Sequence, residues 1–367
     1  MSATGARVSR SLRAIRWRLG LLADLALGGA RRHRAVASLR GLVRRHTWRR
    51  YVRQIHRRRP GTQVIAIAMV EHLGDIVASE PVARHVRAMN PDAHIVWVVR
   101  DAYRELLESN PNVNEVLTVG CLTEWIHLTG GRVFDRTIDL HVPGRFCPIC
   151  NCHLINETAP EGIGMHNYYA HGSLLAIASK CGGLPPLDDA PRVYIPPPVA
   201  GAVDQRRLPE RFIVVHCTSN QDVRDWSAPN WRDLALEMMQ RHELPVVEVG
   251  LTPIVCSDDP RYVDLCGKLS ILETAEVIRR AALFIGIDSG PAHLANAVGT
   301  PGVVLLGHYR AYRRYMPYSG EYASGANATI LHADGPASSL SVERVLEAVD
   351  ARLTNQLAAG ASCGGRA

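Results

Sequence analysis

The chain has 367 residues, 47% apolar and 21% charged, which is enough for roughly two domains with cores of their own. Collagenous, coiled-coil, disordered and knottin-like chains are excluded. The formal net charge of +7 joins two opposite halves: residues 1–60 carry 17 arginines against the single acid Asp24, and the remainder carries 25 basic and 34 acidic groups. An acidic globular part argues against a nucleic-acid-binding core, so no nucleic-acid partner is expected.

Residues 1–60 read as a basic amphipathic helical arm in two pieces, parted at Leu27-Gly28-Gly29. Leu12, Ile15, Leu19 and Leu22, then Val36, Leu39, Leu42 and Val43, then Trp48, Tyr51, Val52 and Ile55 recur at three- and four-residue spacings with arginine between them. Such a helix can lie on an anionic membrane surface; a solvated arm and an organelle transit peptide share the composition. No stretch reaches the ~20 apolar residues of a membrane span, and Leu19–Leu27 is broken by Asp24, which also argues against a secretory signal. Nine unevenly spaced cysteines do not suggest a disulfide framework and point to a cytoplasmic chain with reduced thiols.

After Pro60-Gly61 the pattern becomes strand–helix alternation. Val64–Val70 is a continuous apolar run suited to a buried parallel strand. A helix follows to about Met89 with a kink near Ser79, then strands at His94–Val99, Val116–Val119 and Thr137–Leu140, with a helix at Tyr103–Ser109. A proline-dense stretch from Pro185 to Pro209 marks a domain boundary. The alternation then restarts with strands at Phe212–Cys217, Val246–Val249, Leu283–Ile287 and Val303–Leu306 and helices at Pro229–His242, Leu272–Arg280, Pro291–Val298 and Ser341–Leu353. Ser270 and Glu273 form a capping box. The expected organisation is the arm, an N-terminal Rossmann-like domain over 61–198 with a Cys-rich insertion near 141–185, a C-terminal Rossmann-like domain over 209–354, and a flexible tail over 355–367.

Two strand ends stand out. Ile285-Gly-Ile-Asp288-Ser289-Gly290-Pro-Ala-His293 is a buried strand, a tight turn and a helix start whose free N–H groups favour a phosphate or diphosphate, with His293 one turn in. Self-capping by Asp288 or Ser289 is the competing reading. Glu71-His72-Leu73-Gly74-Asp75 places a carboxylate at another strand end, where it can accept a proton from a hydroxyl or cap the helix behind it; Gly74 permits close approach of a substrate. Arg224, on the loop after the first strand of the second domain, can clamp a diphosphate or stand as a surface arginine, and Trp226 and Trp231 can anchor that loop. No G-x-G-x-x-G follows the first strand, which weighs against a dinucleotide oxidoreductase.

Cys147-Pro-Ile-Cys150-Asn-Cys152-His153 has spacing that can bring soft ligands onto one structural zinc or iron ion, with Cys181, His166 and His171 as further candidates. Cys147 and Cys150 can instead form a redox pair. A non-catalytic assembly or partner-binding protein organised by such a site is the alternative to an enzyme.

Met69-Val-Glu-His-Leu-Gly-Asp-Ile-Val-Ala-Ser-Glu-Pro-Val82, Pro91–Trp97, Asn110–Val116, Cys266–Glu273 and Gly286–Ala295 with Gly299-Thr-Pro301 together resemble glycosyltransferase family 9, the lipopolysaccharide heptosyltransferases. The resemblance implies an α/β GT-B fold and an inverting transfer that needs no catalytic metal. The sugar, heptose or related, would pass from a nucleotide-diphosphate donor to a hydroxyl of a lipopolysaccharide-type or other cell-surface glycan or glycolipid; a protein acceptor is the variant within the family. It implies Asp75 as general base, and Arg224, Asp288, Ser289, Gly290 and His293 around the donor diphosphate. Arg224 stands where the family usually has a lysine. The loop Gly307–Pro317, with Arg310, Arg313 and Arg314, departs from the family pattern and suggests a different substrate contact. A peripheral position on the inner face of the cytoplasmic membrane, held through the arm, follows as an expectation.

Overall fold

A computed structural model describes residues 29–363. The first piece of the arm, and the Leu19–Leu27 stretch with it, lies outside the described residues. The second piece is a helix, α1 (Ala30–Arg58), but it does not stand free. It packs along α5 (Leu122–Thr129), burying Ala35, Ala37, Ser38, Gly41, Val52 and Ile55. Small residues make this seam: a Cβ on Gly41 would sit 2.5 Å from the Glu124 carbonyl oxygen. Arg44 pairs with the buried Glu124, and Arg45 donates to the carbonyls of His127 and Leu128. The reading of residues 1–60 as a separate arm is therefore corrected for 30–58, because the small-residue face and these arginine bonds make the helix part of the first domain.

The first sheet is parallel, in the order β3-β2-β1-β4, with β1 (Val64–Ala68), β2 (His94–Arg100), β3 (Glu115–Val119) and β4 (Arg136–Asp139). β1 is buried at every residue because strands flank it on both edges and helices cover both faces. The helical stretch behind it breaks at Ser79 into α2 (Leu73–Ala78) and α3 (Glu80–Met89), with Pro81 in the first turn of the second. The helix expected at Tyr103–Ser109 is a 3-10 turn followed by the single turn α4 (Glu105–Glu108). The insertion is mostly loop plus a 3-10 turn (Tyr168–His171) and α6 (Leu174–Cys181), tied down by Asn156, whose amide donates to the carbonyls of Asp139, His141 and Cys181.

Within the proline-dense stretch sits α7 (Pro197–Asp204), a helix that begins on prolines because first-turn N–H groups need no partner. The second sheet, also parallel, runs β10-β9-β8-β5-β6-β7, with β5 (Ile213–His216), β6 (Val246–Glu248), β7 (Tyr262–Asp264), β8 (Leu283–Ile287), β9 (Gly302–Leu306) and β10 (Ala328–His332). Around it lie α8 (Ala228–Arg241), α9 (Ile271–Arg280), α10 (Gly290–Val298), the short α11 (Glu321–Ser324) and α12 (Val342–Cys363). α12 runs through most of the segment read as a flexible tail, continuing a helix whose buried side includes Val345, Val349 and Leu353.

Each sheet reverses its strand order once, between β1 and β4 and between β5 and β8. Such switch points leave a crevice at the carboxyl ends of the strands, where open α/β sheets bind ligands. The two crevices meet where α2 packs on α10, and apolar packing runs across the junction through Ile76, Leu294, Tyr168 and Tyr315. The GT-B arrangement is thus two facing parallel-sheet domains, with Glu105 of the first accepting from the N–H groups of Ile271 and Leu272 at the start of α9 in the second.

Candidate active site

At the first switch point β1 delivers the loop to Asp75 and β4 delivers the loop to Arg145. Asp75 lies in the first turn of α2, and its Oδ2 accepts from the His72 N–H at 3.1 Å and from Arg145 Nη2 at 3.0 Å. Among the described residues no donor bonds Oδ1. The cap and the base readings thus occupy different oxygens of one carboxylate. Burial alone would raise this carboxyl, but the Arg145 guanidinium, with the His72 N–H bonded to the same oxygen, outweighs it and holds the group well below the ordinary carboxylate range. Arg145 Nη2 also donates to His72 Nδ1 at 2.6 Å, so that nitrogen carries no proton.

Beneath this loop His141 is fully buried. Its Nε2 accepts the Val70 N–H at 3.0 Å, which assigns the remaining proton to Nδ1, 2.6 Å from Asp139 Oδ1. The second oxygen of Asp139 takes the Trp125 indole N–H at 2.8 Å. These bonds fix the end of β1 against β4.

At the second switch point β5 leads to Arg224 and β8 to Asp288. Asp288 is buried and engaged on both oxygens: it accepts from Tyr315 at 2.6 Å and Tyr318 at 3.4 Å and pairs with Arg224 Nη1 at 3.5 Å. Burial opposes charge on Arg224, but Asp288 outweighs it and raises its pKa above the ordinary arginine value; its guanidinium lies 4.3 Å from the centre of the Tyr309 ring. Neither expected self-cap is made. The Ser289 hydroxyl donates to the Ile287 carbonyl, and α10 has no side-chain cap. The N–H groups at its start remain as donors, with the helix dipole behind them. His293, one turn in, is buried against Tyr318, and its Nδ1 has no hydrogen-bond partner. Burial lowers its pKa against the pull of Asp288 and Asp75, so it stands as a neutral imidazole.

The two turns touch. A Cβ on Gly74 would lie 2.7 Å from the His293 ring, and one on Gly290 would lie 2.5 Å from a Leu73 methyl carbon. The close approach that Gly74 permits is therefore that of His293. Above this contact Tyr168 and Tyr169 of the insertion meet Tyr309, Tyr312 and Tyr315 of the second domain, with ring centres 4.5–6.0 Å apart. The loop after β9 thus turns its tyrosines inward and its arginines outward. Arg310 donates to the Met165 carbonyl at 2.8 Å, while Arg313 and Arg314 are exposed. Trp226 and Trp231 are buried edge to face and anchor the Arg224 loop, the Trp226 indole donating to the Leu340 carbonyl.

The sulfur cluster differs from the ligand set expected of the sequence. Cys147 and Cys150 converge with Cys121, not with Cys152 and His153. The Cys152 sulfur turns toward the Cys150 carbonyl, the His153 ring lies against Phe146, and neither Cys181 nor His166 nor His171 joins the group. The chain reversal at Asn151, with φ +49°, aims these side chains away. Cys121, Cys147 and Cys150 form a buried cluster capable of holding a metal ion. A bond with Cys121 lowers the Cys147 thiol to about 4, and the same contact, with burial, raises Cys121. The sequence singles out neither Cys121 nor Arg145; the one faint signal is for Cys121, two residues past the end of β3, while Arg145 lies six residues beyond β4 in the loop.

Two facing Rossmann-like domains with a carboxylate at one switch point and a helix start at the other define a GT-B-type protein. Residues 199–327 match Glycosyltransferase family 9 (heptosyltransferase). The matched residues lie in the second domain, from α7 to just before β10. Lipopolysaccharide heptosyltransferase 3 of Escherichia coli K12 is 28% identical over 114 residues, 29% of this chain and 33% of that protein, so the match spans a third of the relative's length. The crystal structure of a family 9 glycosyl transferase from Veillonella parvula superposes with a TM-score of 0.62 at 18% identity, over 80% of this chain and 97% of that one. The E. coli ADP-heptose lipopolysaccharide heptosyltransferase II structure gives 0.60 at 18% identity, over 80% and 99%. Among the described residues no helix is long and apolar enough to cross a membrane.

Proposed function

We propose that the protein is an inverting glycosyltransferase that moves a sugar, heptose or a close relative, from a nucleotide-diphosphate donor to a hydroxyl of a lipopolysaccharide-type or other cell-surface glycan. The observation that carries this reading is the apposition of a carboxylate with one unbonded oxygen, Asp75, to the uncapped start of α10. In the reaction Asp75 Oδ1 takes the proton of the acceptor hydroxyl as that oxygen attacks the anomeric carbon. The first-turn N–H groups of α10 at Ser289 and Gly290, and the neutral His293, hold the departing diphosphate, and Arg224 adds fixed positive charge close by. Asp288 holds Arg224 and the tyrosines in register, which the bonds to all three support. These are electrostatic and proton-transfer roles supplied by the chain itself.

The outer face of α1 supports a peripheral position on an anionic membrane surface. Arg32, Leu39, Val43, Arg50, Arg53 and Arg57 recur at helical spacing and are all exposed. The deciding experiment is Asp75→Asn with a panel of nucleotide-diphosphate sugars. Donor binding by calorimetry should persist while kcat falls by about 10²–10⁴-fold. Undiminished turnover would make Asp75 a helix cap and nothing more.

A further inference from the structure

The sulfur cluster lies outside the cleft, and its geometry asks for an occupant. Cys121 sits at the N-cap of α5, while Cys147 and Cys150 sit on the loop beyond β4; all three are buried and their sulfurs lie within 4.8 Å of one another. Cys121 and Cys150 are separated by 3.9 Å, sulfur to sulfur. A disulfide needs about 2.05 Å. A tetrahedral ion with metal–sulfur bonds of ~2.3 Å sets its thiolates about 3.8 Å apart, which fits. The loop is wound as a tight knuckle, with the Cys147 N–H on the Cys152 carbonyl at 2.9 Å and the Asn151 N–H on the Cys147 carbonyl at 2.8 Å. The Thr123 hydroxyl, fully buried, lies beside the sulfurs of Cys147 and Cys150.

We propose that Cys121, Cys147 and Cys150 bind one soft divalent ion, zinc or ferrous iron, and that this ion staples the knuckle to the start of α5 and so positions Arg145 on Asp75. The link is short. Arg145 precedes Cys147 by two residues, and its carbonyl accepts the Leu154 N–H at 2.8 Å on the far side of the knuckle. Cys147, Cys150, Cys152 and Leu154 of the knuckle pack into the core of the first domain, while Phe146, Ile149 and Ile155 are exposed, so the ion would fix the buried side of the loop. Arg145 acts through Asp75 and is a positioning residue; that catalytic meaning rests on the transferase reading, whereas the metal site does not.

The test is elemental analysis of the full chain after reconstitution with Zn²⁺ or Fe²⁺ under anaerobic conditions. About one ion per chain is expected, with the preferred metal showing which of the two the site takes. Cys121→Ser should bind at least ~10-fold more weakly, while Cys152→Ala and His153→Ala, on the same knuckle, should bind as the unaltered chain does. With excess Co²⁺ the thiolate charge-transfer absorption of Cys121→Ser should drop by about a third, which reads ligand number even where affinity falls. No ion bound after reconstitution, or Cys121→Ser binding undiminished, overturns the site. Asp75→Asn should keep its metal, so a failed transferase reading leaves this result standing. For the positioning role, stripping the ion should shift the acid limb of the pH–rate profile in the direction that Arg145→Gln shifts it; an unchanged profile overturns that part alone.

Discussion

The two switch points share a topology and solve it in opposite ways. At the first, Asp75 keeps one oxygen clamped by His72 and Arg145 and leaves the other without a donor. At the second, Asp288 has both oxygens engaged, by two phenols and an arginine. A carboxylate with a free oxygen can take a proton; one buried and engaged on both oxygens is committed to holding its neighbours. The same residue type at the same topological place thus divides reaction from scaffolding, and the division is set by side chains that arrive from elsewhere in the chain.

That contrast can be broken by exchange of effects. Asp288→Ala leaves Arg224 and the Tyr315 hydroxyl buried without their partner and should cost about 3–5 kcal/mol in urea unfolding, whereas Asp75→Asn, which keeps an acceptor oxygen for Arg145 and the His72 N–H, should cost less while losing turnover. A larger stability loss at Asp75 would reverse the assignment. Tyr315→Phe, which removes only the 2.6 Å bond to the buried carboxylate, should cost about 1.5–3 kcal/mol. Gly290→Ala presses a methyl group into Leu73 and should cost about 1–3 kcal/mol by overpacking, with Leu73→Ala in the same chain restoring part of it.

The smallest expected effect is on pH dependence. The folded Asp75 carboxyl lies below its unfolded value of ~3.9, so its contribution is fully present above that pH and is lost as the pH falls further. The stability difference between the unaltered chain and Asp75→Asn should be flat from about pH 7 to 5 and shrink below about 4. Turnover should show no acid limb from Asp75 above about pH 5, and Arg145→Gln should bring that limb upward. A limb that stays fixed would separate Arg145 from the base.

What the sequence made legible is what periodicity and turn chemistry encode. β1 and β8 are continuous apolar runs, and each ends in a glycine-bearing turn that places Asp75 or Asp288 at a strand end. The α9 start was legible from Ser270 and Glu273, whose capping box is formed. β7 and β10 were missed because both are partly exposed and lack a buried run. α7 was missed because its opening prolines read as a linker. The partners around the site, Arg145, Tyr169 and Tyr315, come from loops or single positions with no period, and only the closed fold brings them together; the same holds for Cys121 in the sulfur cluster. α1 was read as free because its arginines dominate its composition, while the seam that binds it is made of alanine, serine and glycine, which carry little pattern.

That seam has a mechanical consequence. With Gly41 pressed against the Glu124 carbonyl and Arg45 bonded to the end of α5, the basic helix has no swivel relative to the first sheet. Whatever surface its arginines meet, the bearing of the crevice toward that surface is set in the same act, as a keel sets the heading of a hull.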